Sequence, residues 1–325
     1  MADVFAYLEG FGASGGSPNK STIIVTAPTG STVTCKMGST TKTATEKNGV
    51  WTFGGLDLGT WTITSTKGGD SATQDVAITR LTVEYVTIVY RITPEFAYTG
   101  DYEIVDDSDN PISDFASWKN NWKIRFLTSG TLTFTKLNGW NGQLDVFLVG
   151  GGGNGETIRG ARGGGGGYTK TVKGISIAIA TPYTVTIGAS SGTSSAFGAS
   201  ANGASGANGG SGGGGGGSSS GTPGNGGSNG GNGTAGNVSQ GGAGQGTTTK
   251  EFGESTGKLY SGGGGGSAAG AGAAGDSTAG AGANFGGAAK NGVANTGGGG
   301  GAAYSGTAGR GGSGIVIARN ARRAA

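Results

Sequence analysis

Between residues 203 and 236 glycine keeps a phase of three. One frame holds it at positions 203, 206, 209, 212, 215, 221, 224, 227, 230, 233 and 236, broken only by Ser218, whereas the 22 other positions hold seven glycines. A flexible linker has no phase. Three residues per turn is the repeat of the polyproline II helix, which rises about 3.1 Å per residue and makes no hydrogen bond within itself. Collagen shares the repeat but needs abundant proline, and residues 150–314 contain only Pro182 and Pro223. The pattern therefore predicts polyglycine II rods of one chain lying side by side. Glycine stands where backbones approach, with Ala, Ser, Asn and Thr elsewhere.

Such rods are marginal in isolation. Ordering a residue costs about 1–2 kcal/mol, and glycine is the worst case. An inter-rod amide bond returns about 0.5–1.5 kcal/mol net, and Cα–H···O contacts add about 0.5–1 kcal/mol each. Many rods must pack together with their ends held. One straight rod over 203–236 would run to about 105 Å, so "SSSGTP" and "NVSQ" are read as turns between shorter passes. The ends are held by apolar strands: "QLDVFLVG" enters the region, "GSGIVIAR" leaves it, and "GYTKTVK" and "PYTVTIG" lie within.

Of the 78 glycines only 16 precede residue 150, so the chain is two materials joined. Residues 1–20 hold Val4, Phe5, Tyr7, Leu8 and Phe11 before "GASGGSPNKS", an N-terminal docking segment and linker or a frayed terminus. Residues 21–92 alternate in period two through seven runs: "STIIVTA", "STVTCK", "TTKTATE", "GVWTFGGL", "GTWTITST", "ATQDVAIT" and "TVEYVTIVY". These predict a small Ig-like β-sandwich with Ile24, Val33, Trp51, Phe53, Trp61, Ile63, Val76, Ile78, Val83 and Tyr85 or its neighbours inward. The runs "TAPTGSTVT" and "GVWTFGGLDLGTWTITSTKGG" resemble the prealbumin-like or carboxypeptidase-regulatory-like sandwich modules of cell-surface and phage structural proteins. That resemblance implies a spacer or docking unit.

Residues 93–149 read as a connecting β-region with runs "FAYTGDYEIVDD", "NWKIRFLTSGTLTFTKL" and "QLDVFLVG" and a hairpin turn at Ser129-Gly130. Asp106, Asp107 and Asp109 lack a cation-loop spacing and read as a turn, so no metal is assigned. Trp118, Trp122 and Trp140 are expected in the core of this region, the alternative being a sugar platform.

From residue 122 to 319 the succession "DVFLVGGGGNG", "GGGGGYTKTVKG", "YTVTIGASSG", a long glycine tract and "GGGGGAAYSGTAGRGGSGIVIAR" is similar to the glycine-rich domain of bacteriophage tail-fibre and adhesin proteins. The resemblance implies a virion-borne protein, made in the host cytoplasm and acting at the host cell surface. In its relatives stacked polyglycine II helices carry variable loops at the distal tip. The expected class is all-β plus polyglycine II: sandwich, connecting region, a glycine-rich domain over 150–319 and a basic tail at 320–325.

Chemistry is excluded more than offered. There is no histidine and one cysteine, so a Ser/His/Asp triad and a disulfide framework are impossible. Gly150, Gly152 and Gly155 have dinucleotide-binding spacing, but "ETIRGARGGGGGY" cannot sustain the required helix. No enzymatic activity and no cofactor is expected. With 22 basic and 19 acidic residues, nucleic acid is not expected as a partner, and no segment has membrane-spanning length. The end "RNARRAA" reads as a solvated tail.

A surface of Gly, Ala and Ser offers little to recognise, so specificity is sought in its interruptions. Candidate receptor contacts are Arg159 and Arg162 beside Glu156 and Ile158; Phe197; Lys250, Glu251, Phe252, Lys258 and Tyr260 in "KEFGESTGKLY"; and Phe285 and Tyr304 near Lys290. The alternative is that these aromatics plug the bundle ends. The expected partners are other virion proteins through the N-terminal part and a host polysaccharide or protein receptor, with several copies or a homo-oligomer giving avidity. Two rival readings are a purely structural capsid fibre or decoration protein, and an ice-binding polyglycine II bundle.

Overall fold

The structure is a computed structural model. It describes residues 20–322 except 68, 69, 89–92, 119, 139, 218–221, 228–230, 238–241 and 245–248. The anticipated docking segment and most of the two anticipated turns, "SSSGTP" and "NVSQ", lie outside the described residues. The chain divides into two compact units, residues 1–93 with 116–119 and 138–140, and residues 94–115, 120–137 and 141–325.

The first unit is a seven-stranded sandwich. Strands β1 (Ser21–Thr26), β2 (Thr32–Met37), β3 (Thr40–Thr43), β4 (Val50–Leu56), β5 (Gly59–Lys67), β6 (Asp70–Ile78) and β7 (Val83–Thr87) form sheets ordered β4-β1-β7 and β3-β2-β5-β6. Val33, Trp51, Phe53, Trp61, Ile63, Val76 and Ile78 share one buried core, as the alternation predicts, and Cys35 joins them. Burial pushes the Cys35 thiol up to about 11, leaving it an inert packing group.

Two strands present the opposite face from the one expected. Ile23 and Val25 are buried in place of Ile24, and Val86 and Ile88 in place of Val83 and Tyr85. Unbroken runs such as "IIV" fit either phase, and a one-residue slip exchanges the faces. Parallel pairing of β1 with β7 matches Thr22 to Val83 and Ile24 to Tyr85, so these four side chains turn outward together.

The second unit opens with β8 (Glu95–Tyr98), β9 (Tyr102–Val105), β10 (Lys123–Phe126), β11 (Gly130–Lys136), β12 (Gln143–Val149), β13 (Thr169–Ser176) and β14 (Pro182–Val185), and closes with β17 (Ile315–Asn320). Five strands form one sheet in the order β13-β12-β17-β10-β9, and three form a second, β14-β11-β8. Ser129-Gly130 is therefore no hairpin, because β10 and β11 belong to different sheets. The same is true of β8 and β9, so the two connections turn corners and cross. A Cβ on Gly100 would meet Ser129 O at 2.7 Å, and one on Gly130 would meet Gly100 N at 2.7 Å. Glycine is required at both for space.

The three central strands of the five-stranded sheet, β12, β17 and β10, are buried on both faces. Leu144, Val146, Leu148, Val316, Ala318, Ile124 and Phe126 share one face by register, and Asp145, Phe147, Val149, Ile315, Ile317, Arg319, Lys123 and Arg125 the other. Trp122 is fully buried with its ring edge-on to Phe115 at 5.6 Å, whereas Trp118, half-buried, and Trp140, buried, fall in the first unit. The framing strands β12 and β17 pair antiparallel, as the sequence anticipates.

From this sheet emerge the rods. Along 150–155 successive amides reach different neighbours, and every third returns to the same one: Gly150 and Gly153 donate to Tyr168 and Gly165, Gly152 and Gly155 to Gly312 and Gly309. Likewise Gly164 and Gly167 donate to Gly300 and Gly297, and Gly163 and Gly166 to Gly214 and Ser211. This is the three-residue screw of polyglycine II. Neighbours run both ways: Gly299 and Ala302 meet Gly262 and Gly265 in parallel.

Uninterrupted glycine marks the interior rods. A Cβ on any of residues 163–167 would lie under 3.0 Å from the backbone of a neighbour, among them residues 264, 153, 208, 261 and 150. None of these five is in the positive-φ region, so glycine is needed here for space and not for conformation. Outer rods need glycine only on their inward face, which produces the frame of three: Gly209, Gly212, Gly224 and Gly233 each face a neighbouring carbonyl. Gly206 departs from this, with φ +58° and open space around it, as a turn residue.

Candidate functional site

The second unit gives the bundle two distinct ends. Gly150, Tyr168 and Gly314 adjoin β12, β13 and β17 at the sheet end, and the loops between rods at the far end include residues 156–162, 267–271, 283–289 and 303–309. The sequence candidates divide between these ends.

"KEFGESTGKLY" lies at the sheet end and folds over the five-stranded sheet as a strap. Phe252 and Tyr260 are buried with their rings 5.7 and 5.5 Å from Phe147. Arg319 sits 3.9 Å over the Phe252 ring. Glu251 is buried and pairs with Lys123 at 3.0 Å, while Glu254 takes Arg319 at 2.6 Å. Phe252 holds φ 55°, a conformation bulky residues avoid, which the packing around it enforces. Burial of the two rings is worth roughly 2–3 kcal/mol each.

The strap is thus core, not the contact loop expected of Glu251, Phe252 and Tyr260. The physical reason is that β10 and β17 bury Lys123, Arg125 and Arg319, which require carboxylates, and the strap supplies them. Only Lys258 of this group is exposed, and Lys250 is half-buried with its Nζ on Ser255 O.

Beside the strap opens a cleft of about 550 Å³ lined by Asp107, Asp109, Lys123, Glu254, Lys258, Arg319 and Arg322, among others. Charges in and beside it pair, Lys123 and Arg125 with Asp109, Arg319 with Asp145 at 3.3 Å, and Arg322 with Asp107. Burial would lower the Arg125 guanidinium, but Asp109, Tyr260 and Glu251 hold it above the ordinary arginine value. The basic end is accordingly not a solvated tail at Arg319 and Arg322. Asp106 accepts the amides of Ser108 at 2.8 Å and Asn110 at 2.9 Å, the turn its composition suggests. Among the described residues no group of three His, Cys, Asp or Glu is placed to hold a metal, and no helix is long and apolar enough to cross a membrane.

Phe197 heads the hairpin of β15 (Ser194–Ala196) and β16 (Ala199–Ala201), with φ positive at both Phe197 and Gly198, and its ring lies 5.2 Å from Tyr183 of β14. It is half-buried and belongs to the sheet end.

The far end gathers the remaining candidates. Loop 156–162 is closed by its own ends: Glu156 N donates to Arg162 O at 3.0 Å, and Arg162 Nε and Nη2 donate to Glu156 Oε1 at 3.0 and 2.6 Å. Burial raises the Glu156 carboxyl, yet the bonds from Arg162 outweigh it and hold it below the usual carboxylate range. At the loop tip Ile158 is 61 % exposed and Arg159 is exposed.

Ala303 N donates to Glu156 O at 3.0 Å, which places Tyr304 in the next loop. The Tyr304 ring lies 4.2 Å from Phe285 at 32°, although Phe285 is 68 % exposed. The turn carrying Phe285 is fixed by Gly287 N on Asn284 O, Gly286 at φ +72° and Gly286 N on Ser305 Oγ. An aromatic pair held open to solvent by a rigid frame is a surface a ligand can use.

A family profile described as "Glycine-rich domain" matches residues 127–321. The chain belongs to the glycine-rich domain family. The match covers β11 through β17 with all the rods, and so contains the strap and the far-end loops, while β8, β9 and β10 precede it. No curated protein matches the chain. Within the glycine-rich domain, Gly150, Gly152 and Gly155 are one interior rod, which disposes of the dinucleotide-like spacing in structural terms. Reasoning from sequence missed Lys123, Arg125, Asp145 and Arg319. The signal for them was "KIRF" and "IVIAR", charged residues alternating inside strands otherwise too apolar to be exposed.

Proposed function

We propose that this protein is a bacteriophage virion component, a tail fibre or receptor-binding adhesin that recognises the host cell surface through the far-end loops of its glycine-rich domain. The observation that carries this reading is the division of the bundle. One end is locked into a β-sheet by a buried strap, and the other presents Ile158, Arg159, Phe285 and Tyr304 on short loops braced by rods that have no room to shift. A rigid frame with an exposed aromatic pair at its free end suits presentation, because preorganised loops lose little entropy on binding.

The N-terminal sandwich, compatible with a prealbumin-like or carboxypeptidase-regulatory-like module, serves in this reading as spacer and attachment to other virion proteins. Repetition of the chain on the particle would supply avidity.

The test is attachment of the labelled full chain to a panel of bacterial strains. Substituting Ile158, Arg159 and Phe285 together with Ser should abolish attachment to any strain that binds while leaving the melting temperature unchanged. Attachment that survives this change, or binding to no strain at all, would overturn the reading in favour of a purely structural role.

A further inference from the structure

The far end of the glycine-rich domain carries charge of one sign. Among the described residues of its loops Glu156 is the one carboxylate, and Arg162 occupies it. Arg159, Lys290 and Arg310 are exposed and take part in no ion pair among the described residues. The acids of the sheet end, by contrast, are consumed by Lys123, Arg125 and Arg319.

The backbone segments that carry these cations bond to those that carry the aromatic pair. Lys290 and Arg310 lie on adjacent rods, joined where Gly292 N donates to Arg310 O at 2.8 Å and Arg310 N to Asn291 Oδ1 at 2.8 Å. Gly301 N donates to Lys290 O at 2.9 Å, three residues before Tyr304, which is about one turn or roughly 9 Å along the rod. Arg159 enters from the loop whose Glu156 carbonyl binds Ala303 N.

We infer that this end binds an anionic glycan, its sugar ring on the Phe285–Tyr304 face and its carboxylate or phosphate on Arg159, Lys290 and Arg310. The inference rests on the adhesin reading and names its ligand class. Exposed aromatic faces take the apolar face of a pyranose, and guanidinium groups take oxyanions in a bidentate fork. A protein epitope is less suited. Stable protein interfaces bury about 800 Å² per partner around a desolvated centre, whereas this surface offers a few large side chains among Gly, Ala and Ser. Weak contacts repeated along a polymer fit it better.

The experiment measures binding of the full chain to immobilised polygalacturonate, to a phosphate-bearing mannan and to neutral dextran, at low and high ionic strength. Binding is expected to one or both charged polymers and not to dextran, to fall steeply with salt, and to weaken roughly tenfold for each of Arg159→Gln and Arg310→Gln. Phe285→Ala should weaken it too, and Lys170→Gln, an equal charge change on exposed β13 at the sheet end, should not. The response to each polymer separates carboxylate from phosphate as the anion. Equal binding to dextran, no binding to either charged polymer, or indifference to Arg159 and Arg310 would overturn the inference. Attachment to cells that persists after their surface glycans are stripped and disappears after protease treatment would overturn it while leaving the adhesin reading intact. Attachment to no cell at all would overturn both.

Discussion

Gly164→Ala places one methyl group at the centre of the rod bundle. The new Cβ would lie 2.5 Å from the Gly153 carbonyl carbon, closer still to its oxygen, and 2.9 Å from Asn154 C. All three atoms are backbone in rods hydrogen-bonded to others, so no side chain can swing aside. Relief requires the rod to move away, at the expense of Gly164 N on Gly300 O at 2.8 Å and Gly264 N on Gly164 O at 2.8 Å. Losing two net bonds costs about 1 kcal/mol each, and leaving their buried groups unmet adds roughly 1–3 kcal/mol apiece. The expected loss is about 4–8 kcal/mol, a large part of a typical domain stability of roughly 5–15 kcal/mol. At about 2–4 °C per kcal/mol for a domain of this size, the glycine-rich domain should melt about 10–30 °C lower. The assay is calorimetry of the full chain beside Gly287→Ala, whose nearest atom is the side-chain Oδ1 of exposed Asn284 at 3.0 Å. That control should stay within about 0.5 kcal/mol of the parent. A Gly164→Ala protein that melts with the parent would refute the account of why glycine is there, since an alanine in an open coil is normally neutral or stabilising.

Three further outcomes follow from the geometry. Glu251→Gln leaves Lys123 and Arg125 buried with a partner removed and should cost about 3–5 kcal/mol in urea unfolding, against little effect for an exposed change such as Lys258→Gln. A hydrogen bond from Arg319 holds the Glu254 carboxyl below its usual range. A depressed carboxyl stabilises the fold above its unfolded value and loses that contribution as pH falls, so urea midpoints should drop between pH 5 and pH 3, roughly the carboxylate range, and less so in Glu254→Gln. Gly100→Ala should be far more damaging than Gly54→Ala when both are melted, because Ser129 O blocks the first at 2.7 Å while the second meets only Thr22 Oγ1 at 4.0 Å.

How much of this was legible in the sequence depends on whether local order or distant partners decide a residue's place. The seven sandwich strands follow from period-two alternation and turn residues, and the three-fold glycine phase announces the rods. The faces of β1 and β7 do not follow, since "IIV" and "YVTIVY" satisfy either phase until the β1–β7 register chooses. The crossing at Gly100 and Gly130 imitates a hairpin because both corners occupy a few residues between apolar runs. At the proposed binding surface, Ile158, Arg159, Phe285 and Tyr304 stand out by composition, and the structure brings them to one end. Phe252 and Tyr260 stand out equally and are core, because their environment is set by Phe147 and Arg319, more than 50 residues away along the chain. Consecutive glycines, as at 163–167, mark rods enclosed on every side, a signal available in the sequence once the packing is known.

Amide hydrogen exchange over residues 163–167 and 297–301 bears most directly on the claim that a backbone almost without side chains is held by bonds between rods. All of those amides except that of Gly298, which donates to Thr296 Oγ1, donate to carbonyls of other segments, as in Gly164 to Gly300 and Gly301 to Lys290. They should exchange as slowly as β12 and β17, opening only when the domain unfolds. Exchange at the rate of an unstructured glycine peptide would contradict the rod lattice and with it the bracing of the far-end loops.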